Sequence, residues 1–135
     1  MARPIQLTTV LLISACVAAC ALFDSGMPWR SGPYALMWID LPDEVLLGYD
    51  EGAGSWTSLV EPRVFAVGAD DRYVVVQQHP NGDGAVTSFF IVDRRANVPK
   101  RPKAAVTGPL TEREFRDKAA SLRLPAFTKV LESLK

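Results

Sequence analysis

The feature that most constrains the fold of this chain is a strand–turn–strand pattern in residues 72–93. The runs RYVVVQQH and AVTSFFIVD are both rich in β-branched and aromatic residues, which favour β-strands. Between them lies PNGDG, whose Asn-Gly and Asp-Gly pairs supply the positive φ angles that tight hairpin turns require. The sequence therefore predicts an antiparallel β-hairpin over these residues.

Shorter runs with β character flank the hairpin and are separated by turn-forming residues. Before it lie YALMWID (34–40), VLLGYD (45–50), WTSLV (56–60) and RVFAVG (63–68), and after it AAVT (104–107). WTSLV and AAVT are near the short limit for strands. Since 135 residues suit one domain, these runs and the hairpin predict a single antiparallel meander of about five or six strands.

The C-terminal segment predicts two helices. In GPLTEREF, Thr111 is in position to cap a helix, and Glu114 three residues later completes a capping box. Leu110 and Phe115 flank this cap as a hydrophobic staple. After Pro125, apolar residues recur at helical spacing and predict a second short helix: Phe127, Val130, Leu131 and Leu134. Both helices need an apolar surface to cover, so the expected fold class is α+β, with two C-terminal helices packed on one sheet face.

The N-terminal residues have the pattern of a secretory signal. Arg3 supplies positive charge, residues 7–23 contain no charged side chain, and small residues cluster at the far end of this run. We interpret residues 1–19 as a lipoprotein signal peptide, 20–33 as a tether rich in Gly, Pro and Ser, and 34–135 as one α+β domain. An uncleaved membrane helix is the alternative, since the apolar run is slightly shorter than the usual span of about 20 residues.

Both cysteines of the chain lie in the stretch LISACVAAC. A disulfide between Cys16 and Cys20 would close a trivial loop, and no His, Asp or Glu lies between them to complete a metal site. VAAC resembles the lipobox of bacterial lipoproteins, in which the cysteine receives a diacylglyceryl group and becomes the new N-terminus. Cys20 is therefore the predicted lipidation site. ISAC fits the same pattern but leaves a very short leader, so Cys16 is the alternate, and a plain signal or anchor helix remains open.

Three segments, together with the lipobox, resemble a family of small bacterial lipoproteins known only as a domain of unknown function: DDRYVVVQQH, FFIVD and GPLTEREF. The resemblance covers residues 70–124 and is less clear for residues 34–60. It implies an α+β fold and an exported protein that is anchored by lipid, either on the outer side of the cytoplasmic membrane or on the outer membrane. It implies no catalytic residues.

Charge is divided unequally along the chain, although its formal net charge is zero. Residues 21–93 carry eleven acidic and three basic side chains, whereas residues 94–135 carry eleven basic and four acidic ones. We expect the two halves to attract each other in the folded protein. The alternative is that a basic loop contacts an anionic surface such as lipid headgroups or cell-wall polymer, through Arg94, Arg95, Lys100, Arg101 and Lys103. An exported protein rarely meets nucleic acid, so we expect no nucleic-acid partner.

The sequence offers little for catalysis. A triad can be imagined from His79, Ser88 and Asp93, but no nucleophile-elbow motif accompanies it, and a lone hairpin histidine is usually a polar surface residue. Asn81 and Asp83 have the spacing of a calcium loop but lack its other ligands. We therefore expect no metal, no cofactor and no enzymatic activity.

Two classes of function remain at this point. The preferred hypothesis is a non-enzymatic envelope module that binds another envelope component through an exposed aromatic patch drawn from Trp29, Trp38 or Trp56. The alternative is a small-ligand-binding or hydrolytic envelope protein, which requires a pocket with convergent polar groups.

Overall fold

A computed structural model of the chain describes residues 24–96 and 100–135. In those ranges, four strands form a first sheet: β1 (Ser25–Ser31), β2 (Tyr34–Ile39), β3 (Leu46–Gly52) and β4 (Ser55–Val60). Five strands form a second sheet: β5 (Val64–Ala69), β6 (Tyr73–Gln78), β7 (Ser88–Asp93), β8 (Val106–Leu110) and β9 (Lys129–Val130). One α-helix, α1 (Glu112–Leu122), follows β8. The protein is thus mainly antiparallel β-structure with a C-terminal helix.

The strand order explains how the predicted meander becomes two sheets. The first sheet has the order β1-β2-β3-β4, and the second has the order β8-β7-β6-β5-β9. Neighbouring strands are consecutive in sequence except at β9 and at the break between β4 and β5. Pro62 lies at that break, and its lack of a backbone N–H disfavours continued pairing. The single sheet of five or six strands is therefore corrected to two sheets with nine strands among the described residues.

One hydrophobic core lies between the two sheets. Tyr34, Leu36 and Leu47 contribute to it from the first sheet, and Val74 and Val76 from the second. These residues alternate along their strands with side chains on the opposite face, as the period of two along a β-strand requires. The sheets therefore pack face to face over this core.

A second core lies on the other face of the five-stranded sheet. Tyr73, Val75 and Phe89 form it with Phe115 of α1, and the rings of Phe89 and Phe115 stack with their centroids 4.7 Å apart. Strand β6 is therefore buried on both faces, which explains why its sequence reads as a continuous YVVV run rather than an alternating one. The layers are sheet, sheet and helix.

The start of α1 confirms the predicted cap. The backbone N–H of Glu114 donates to Thr111 Oγ1 (3.2 Å), and the backbone N–H of Thr111 donates to Glu114 Oε1 (3.1 Å). The hydrogen bond from the backbone N–H of Thr111, followed by that from its side chain, lowers the pKa of the Glu114 carboxyl. The helix ends at Arg123, whose backbone is left-handed.

Replacing Thr111 with alanine is expected to lower the free energy of unfolding by about 1 kcal/mol, because the N-terminal amides of α1 lose their acceptor. Urea denaturation measures the change. A Thr111→Ser variant is the matched control and should keep most of the stability, since serine caps as well as threonine. A serine variant as unstable as the alanine variant would show that the methyl group, not the hydroxyl, is responsible.

The same cap predicts a pH dependence. A carboxyl group whose pKa is lower in the folded state contributes stability above its unfolded pKa, and that contribution is lost as the pH falls through the folded pKa. Glu114→Gln removes the titrating carboxyl, so the stability of this variant should fall less steeply across the acidic range than that of the unchanged protein.

The predicted second C-terminal helix is wrong. Within its range the chain forms β9, which pairs Val130 with Ala66 and Lys129 with Val67, followed by a 3-10 turn. Phe127 contacts Phe89 and Phe115, whereas Leu134 is buried between the sheets, so the apolar residues point into different cores. Pairing with the open edge of β5 satisfies backbone groups that a helix would have left exposed there.

Gly68 allows this C-terminal segment to lie against β5. A Cβ atom at Gly68 would overlap the carbonyl oxygen of Ala126. A glycine in a strand interior often marks such a close approach of another backbone.

The predicted tether is corrected from Ser25 onward. Residues Ser25–Ser31 form β1, which pairs with β2, and Trp29 packs against the core between the sheets. Gly26 and Pro28 gave this segment the composition of a linker. However, β1 is an edge strand with a register shift between Gly26 and Trp29, where proline is tolerated.

Candidate functional site

The loops of the molecule lie at two opposite ends of the sheets. At the first, which we call the distal end, Arg94 Nη1 donates to Ser31 Oγ (2.8 Å) and to the carbonyl oxygen of Asp70 (3.2 Å). At the other, which we call the proximal end, the carbonyl oxygen of Asp24 accepts from the backbone N–H of Asp40 (2.9 Å). Strand β1 runs from beside Asp24 at the proximal end to Ser31 at the distal end, so the two sets of contacts lie at opposite ends of the first sheet. The chain therefore enters the fold at the end opposite the predicted basic loop.

Arg94 differs from the other predicted anion-contacting residues. Its guanidinium makes the hydrogen bonds given above and also lies over the ring of Tyr34, 5.2 Å from the centroid. These contacts join the β1–β2 turn to the second sheet. Burial raises the pKa of the Tyr34 hydroxyl, and the charge of Arg94 partly opposes that rise. Arg94 is thus held in structural contacts.

The other four predicted cations are exposed, and three of them come together. Lys100, Arg101 and Lys103 line one shallow cleft with a volume of about 350 Å³. Its remaining lining comes from Glu51 and Thr57 of the β3–β4 hairpin and from Pro102 and Ala104. Arg95 is exposed on the same loop but does not line the cleft. We call this feature the distal cleft.

Glu51 and Thr57 are the residues of the distal cleft that sequence reasoning missed. They lie in the acidic half of the chain, about a third of its length away from the basic loop, and neither belongs to a recognisable motif. Only the packing of the loop beside the β3–β4 hairpin brings them to the site.

The acidic and basic halves of the chain do not form direct ion pairs with each other in residues 24–96 and 100–135. The pairs found there each join two residues of one half: Arg30–Asp50, Arg63–Glu44, Arg72–Asp93 and Arg116–Glu112. The expected attraction between the halves is therefore not expressed as ion pairing, and the cations of the distal cleft have no acidic partner among the described residues.

His79 is buried, whereas the sequence predicted a polar surface residue. Its ring stacks on Phe65 with the centroids 4.2 Å apart, and Nδ1 lies 2.8 Å from the carbonyl oxygen of Val86. The carbonyl requires a donor, so Nδ1 carries a proton. Nε2 is buried without a hydrogen-bond partner among the described residues. A surface depression with a volume of about 550 Å³ lies beside the ring and is also lined by Glu112 and Lys135.

The imagined triad is not assembled. Ser88 and Asp93 are the first and last residues of β7, so about 17 Å of strand separates them. Ser88 pairs with Gln78 near His79, whereas Asp93 pairs with Tyr73 at the distal end and lies 3.6 Å from Arg72. Ser88 and Asp93 are therefore too far apart to belong to one triad with His79.

The calcium-like spacing of Asn81 and Asp83 belongs to a turn. Asp83 Oδ1 accepts from the backbone N–H of Ala85 (3.0 Å), and Asn81 has the positive φ that its Asn-Gly sequence favours. In the part of the chain that the structure describes, no three His, Cys, Asp or Glu side chains are grouped as metal ligands.

The three tryptophans do not form a single exposed patch. Trp29 and Trp38 are partly buried against the core between the sheets. Trp56 lies on the outer face of the first sheet, where the guanidinium of Arg30 is 5.5 Å from its ring centroid. The most exposed large apolar residues near β1 and β2 lie at the proximal end: Met27, Ile39 and Leu41.

Residues 31–132 match a family model described as "Protein of unknown function (DUF3997)". The chain belongs to this family. The DUF3997 match covers β2 to β9, including strands β2 to β4 of the first sheet, for which the sequence resemblance was less clear. The searches of curated proteins and of solved structures found no match to the chain.

The lipobox lies outside both the DUF3997 match and the described residues, as do Cys16 and Cys20. The alternative anchor helix in residues 7–23 also lies outside the described part. Among residues 24–96 and 100–135, no helix combines the length and hydropathy needed to cross a bilayer.

Proposed function

We propose that this protein is a cell-envelope lipoprotein: a non-enzymatic binding module that a lipid on Cys20 tethers to a membrane. The observation that carries the proposal is the sequence VAAC, in which Cys20 follows an aliphatic residue and two small residues at the end of an uncharged apolar run. A diacylglyceryl group would supply two acyl chains, and stable anchoring requires about two such chains.

The path of the chain into the fold supports this tether. Three residues separate Cys20 from Asp24, which lies at the proximal end beside Asp40. Four extended residue steps span at most about 14 Å. The proximal end would therefore lie close to the bilayer surface.

The side chains at the proximal end are consistent with that position. Ile39 and Leu41 are 63% and 60% exposed, and they lie where apolar groups would meet the membrane interface. Asp40 and Asp43 lie beside them and would be repelled by anionic headgroups. Membrane attachment should consequently depend on the lipid rather than on the surface of the domain.

The separation of Ser88 from Asp93 and the structural role of Asp83 in a turn support the non-enzymatic part of the proposal. The proposed activity is binding, and the distal cleft is the part of the described surface best suited to it, because it combines an apolar lining with unpaired charge.

Replacing Cys20 with serine is expected to abolish the lipid modification and to leave residues 1–19 attached, because no acyl chain can then be added and residue 20 cannot become the new N-terminus. The measurement is fractionation of bacterial cells that express each variant, followed by intact mass analysis of the purified protein. The mass of the unchanged protein should include the diacylglyceryl group on Cys20.

Cys16→Ser is the matched control and should stay in the membrane fraction with its lipid. Loss of the lipid mass in Cys16→Ser alone would show that Cys16, not Cys20, carries the modification. An unchanged protein found in the membrane fraction without any lipid mass would overturn the lipid anchor in favour of an uncleaved helix.

A further inference from the structure

We propose that the distal cleft binds a small ligand that has an anionic group, a carboxylate or a phosphate monoester, attached to an apolar body. The cleft lies between the β3–β4 hairpin and the segment that leads from the basic loop into β8. The binding chemistry is argued from the cleft alone. Its orientation away from the membrane rests on the proposed function.

The cations of the cleft are presented by an anchored segment. Residues Pro102–Ala105 form a 3-10 turn in which Pro102 and Ala105 are buried, and Ala105 belongs to the core between the sheets. The exposed residues Arg101 and Lys103 alternate with these buried ones. A segment fixed in this way holds its charges near one position and reduces the ordering cost of binding.

The distal cleft has a net positive charge, and its cations are not paired with other described residues. Lys100, Arg101 and Lys103 make no side-chain hydrogen bond or ion pair within the described residues, whereas Glu51, the one acidic residue of the lining, accepts from Thr57 Oγ1 (2.9 Å). Three positive charges against one negative charge favour an anion. An Arg fork and two flexible ammonium groups suit both carboxylate and phosphate oxygens.

The apolar lining indicates that the ligand is more than an inorganic ion. Pro102 and Ala104 lie among the cations, and the volume of about 350 Å³ falls at the lower end of the range for small-molecule sites. An apolar body that covers this lining would gain burial while its anionic group pairs with the cations at the rim.

The position of the cleft argues against the headgroups of the anchoring membrane as its ligand. Strands of six or seven residues separate the distal from the proximal end, which corresponds to roughly 20 Å. A linker of about 14 Å that begins at the proximal end keeps the distal cleft away from that bilayer. The anionic group would therefore come from a soluble molecule or from a polymer beyond the membrane surface.

The test uses the full-length lipidated protein in nanodiscs of zwitterionic phosphatidylcholine, with phenyl phosphate, benzoate and benzylamine as probes. We expect saturation-transfer NMR to detect the two anions and not the cation. The Arg101→Gln/Lys103→Gln variant should bind the anions about tenfold more weakly, since two charge contacts are lost. Arg95→Gln removes one exposed cation from the same loop outside the cleft and should change affinity less than twofold.

Equal binding of benzylamine and benzoate, or an equal loss in Arg95→Gln, would overturn the cleft as the site. Nanodiscs that contain phosphatidylglycerol provide the second arm. Unchanged probe binding in them supports a ligand away from the bilayer, whereas competition by these lipids would make headgroups the ligand and refute the proposed orientation.

The proposed binding site and the proposed lipid tether can be tested independently. The full-length Cys16→Ser/Cys20→Ser variant should bind benzoate and phenyl phosphate as well as the lipidated protein does. Loss of the lipid with retained probe binding would support the distal cleft as a site that is independent of the tether. Absence of probe binding in a correctly lipidated protein would refute the distal cleft as a binding site and would still support the lipid tether.

Discussion

Replacing Leu47 with alanine is expected to lower the free energy of unfolding by about 3 kcal/mol, because the change leaves a cavity in the core between the sheets. Leu47 is fully buried and lies in the middle of the first sheet, where it pairs with Leu36 of β2 and Val60 of β4. Urea denaturation followed by tryptophan fluorescence measures the loss, since Trp29 and Trp38 pack against the same core.

Leu46 offers a matched control one residue away. Its side chain points to the outer face of the first sheet and is only partly buried. Leu46→Ala should cost about 1 kcal/mol or less, because less apolar surface is removed from a site that solvent can fill. Equal losses for the two variants would contradict the assignment of the inner face of the first sheet.

Replacing Phe115 with alanine is expected to cost about 3 kcal/mol as well, through a different core. Its ring stacks on Phe89 and lies 5.6 Å from the ring of Phe127, so one truncation removes contacts between α1, β7 and the C-terminal segment. Far-UV circular dichroism during urea denaturation reports the helix, and the transition should begin at a lower urea concentration than in the unchanged protein.

Leu122→Ala is the control on the same helix. Leu122 is exposed, and alanine is a good helix former, so this change should cost less than about 0.5 kcal/mol. A loss as large as that of Phe115→Ala would contradict the placement of Leu122 on the exposed side of α1.

The lipid tether and the binding site that we propose lie at opposite ends of the molecule. The proximal end contains Asp24 and exposed apolar residues, and the distal end contains Arg94 and the distal cleft. A lipid on Cys20 would place the first end at the membrane and present the second to the surroundings. The cations of the distal cleft thus lie at the end of the molecule opposite Asp24.

Much of the fold follows from local chemistry. Seven runs with β character correspond to β2 to β8, and the Thr111–Glu114 capping box forms as its spacing predicted. These features depend on interactions between residues close in sequence, such as turn dipeptides and caps, which act before any tertiary contact.

The elements that sequence reasoning missed depend on partners distant in sequence. β9 exists because β5 has an open edge, and the helical spacing of Phe127 and Leu134 was coincidental. The burial of His79 likewise requires Phe65, a residue on a neighbouring strand. β1 is the exception, since it pairs with the adjacent β2, and it is missed because its glycine and proline give it the composition of a linker.

The candidate site was likewise predictable from the sequence only in part. Charge counting identified the basic loop but gave its five cations one role. The fold separates them, since Arg94 joins the two sheets, Arg95 is exposed elsewhere on the loop, and only the other three line the cleft. Nothing in the sequence indicates which cation finds a structural partner, because that depends on which turns meet at one end of the sheets.

By itself, the sequence determined the hairpin, the helix cap and the division of charge, since each depends on residue types along the chain. It is also the basis for the proposed lipidation site at Cys20. The tertiary structure alone decided that the meander breaks into two sheets, that the chain enters at the end opposite the basic loop, and that Glu51 and Thr57 meet the loop cations. The reason is physical: these outcomes come from the burial of shared apolar faces and the pairing of open strand edges, which involve residues far apart in the chain.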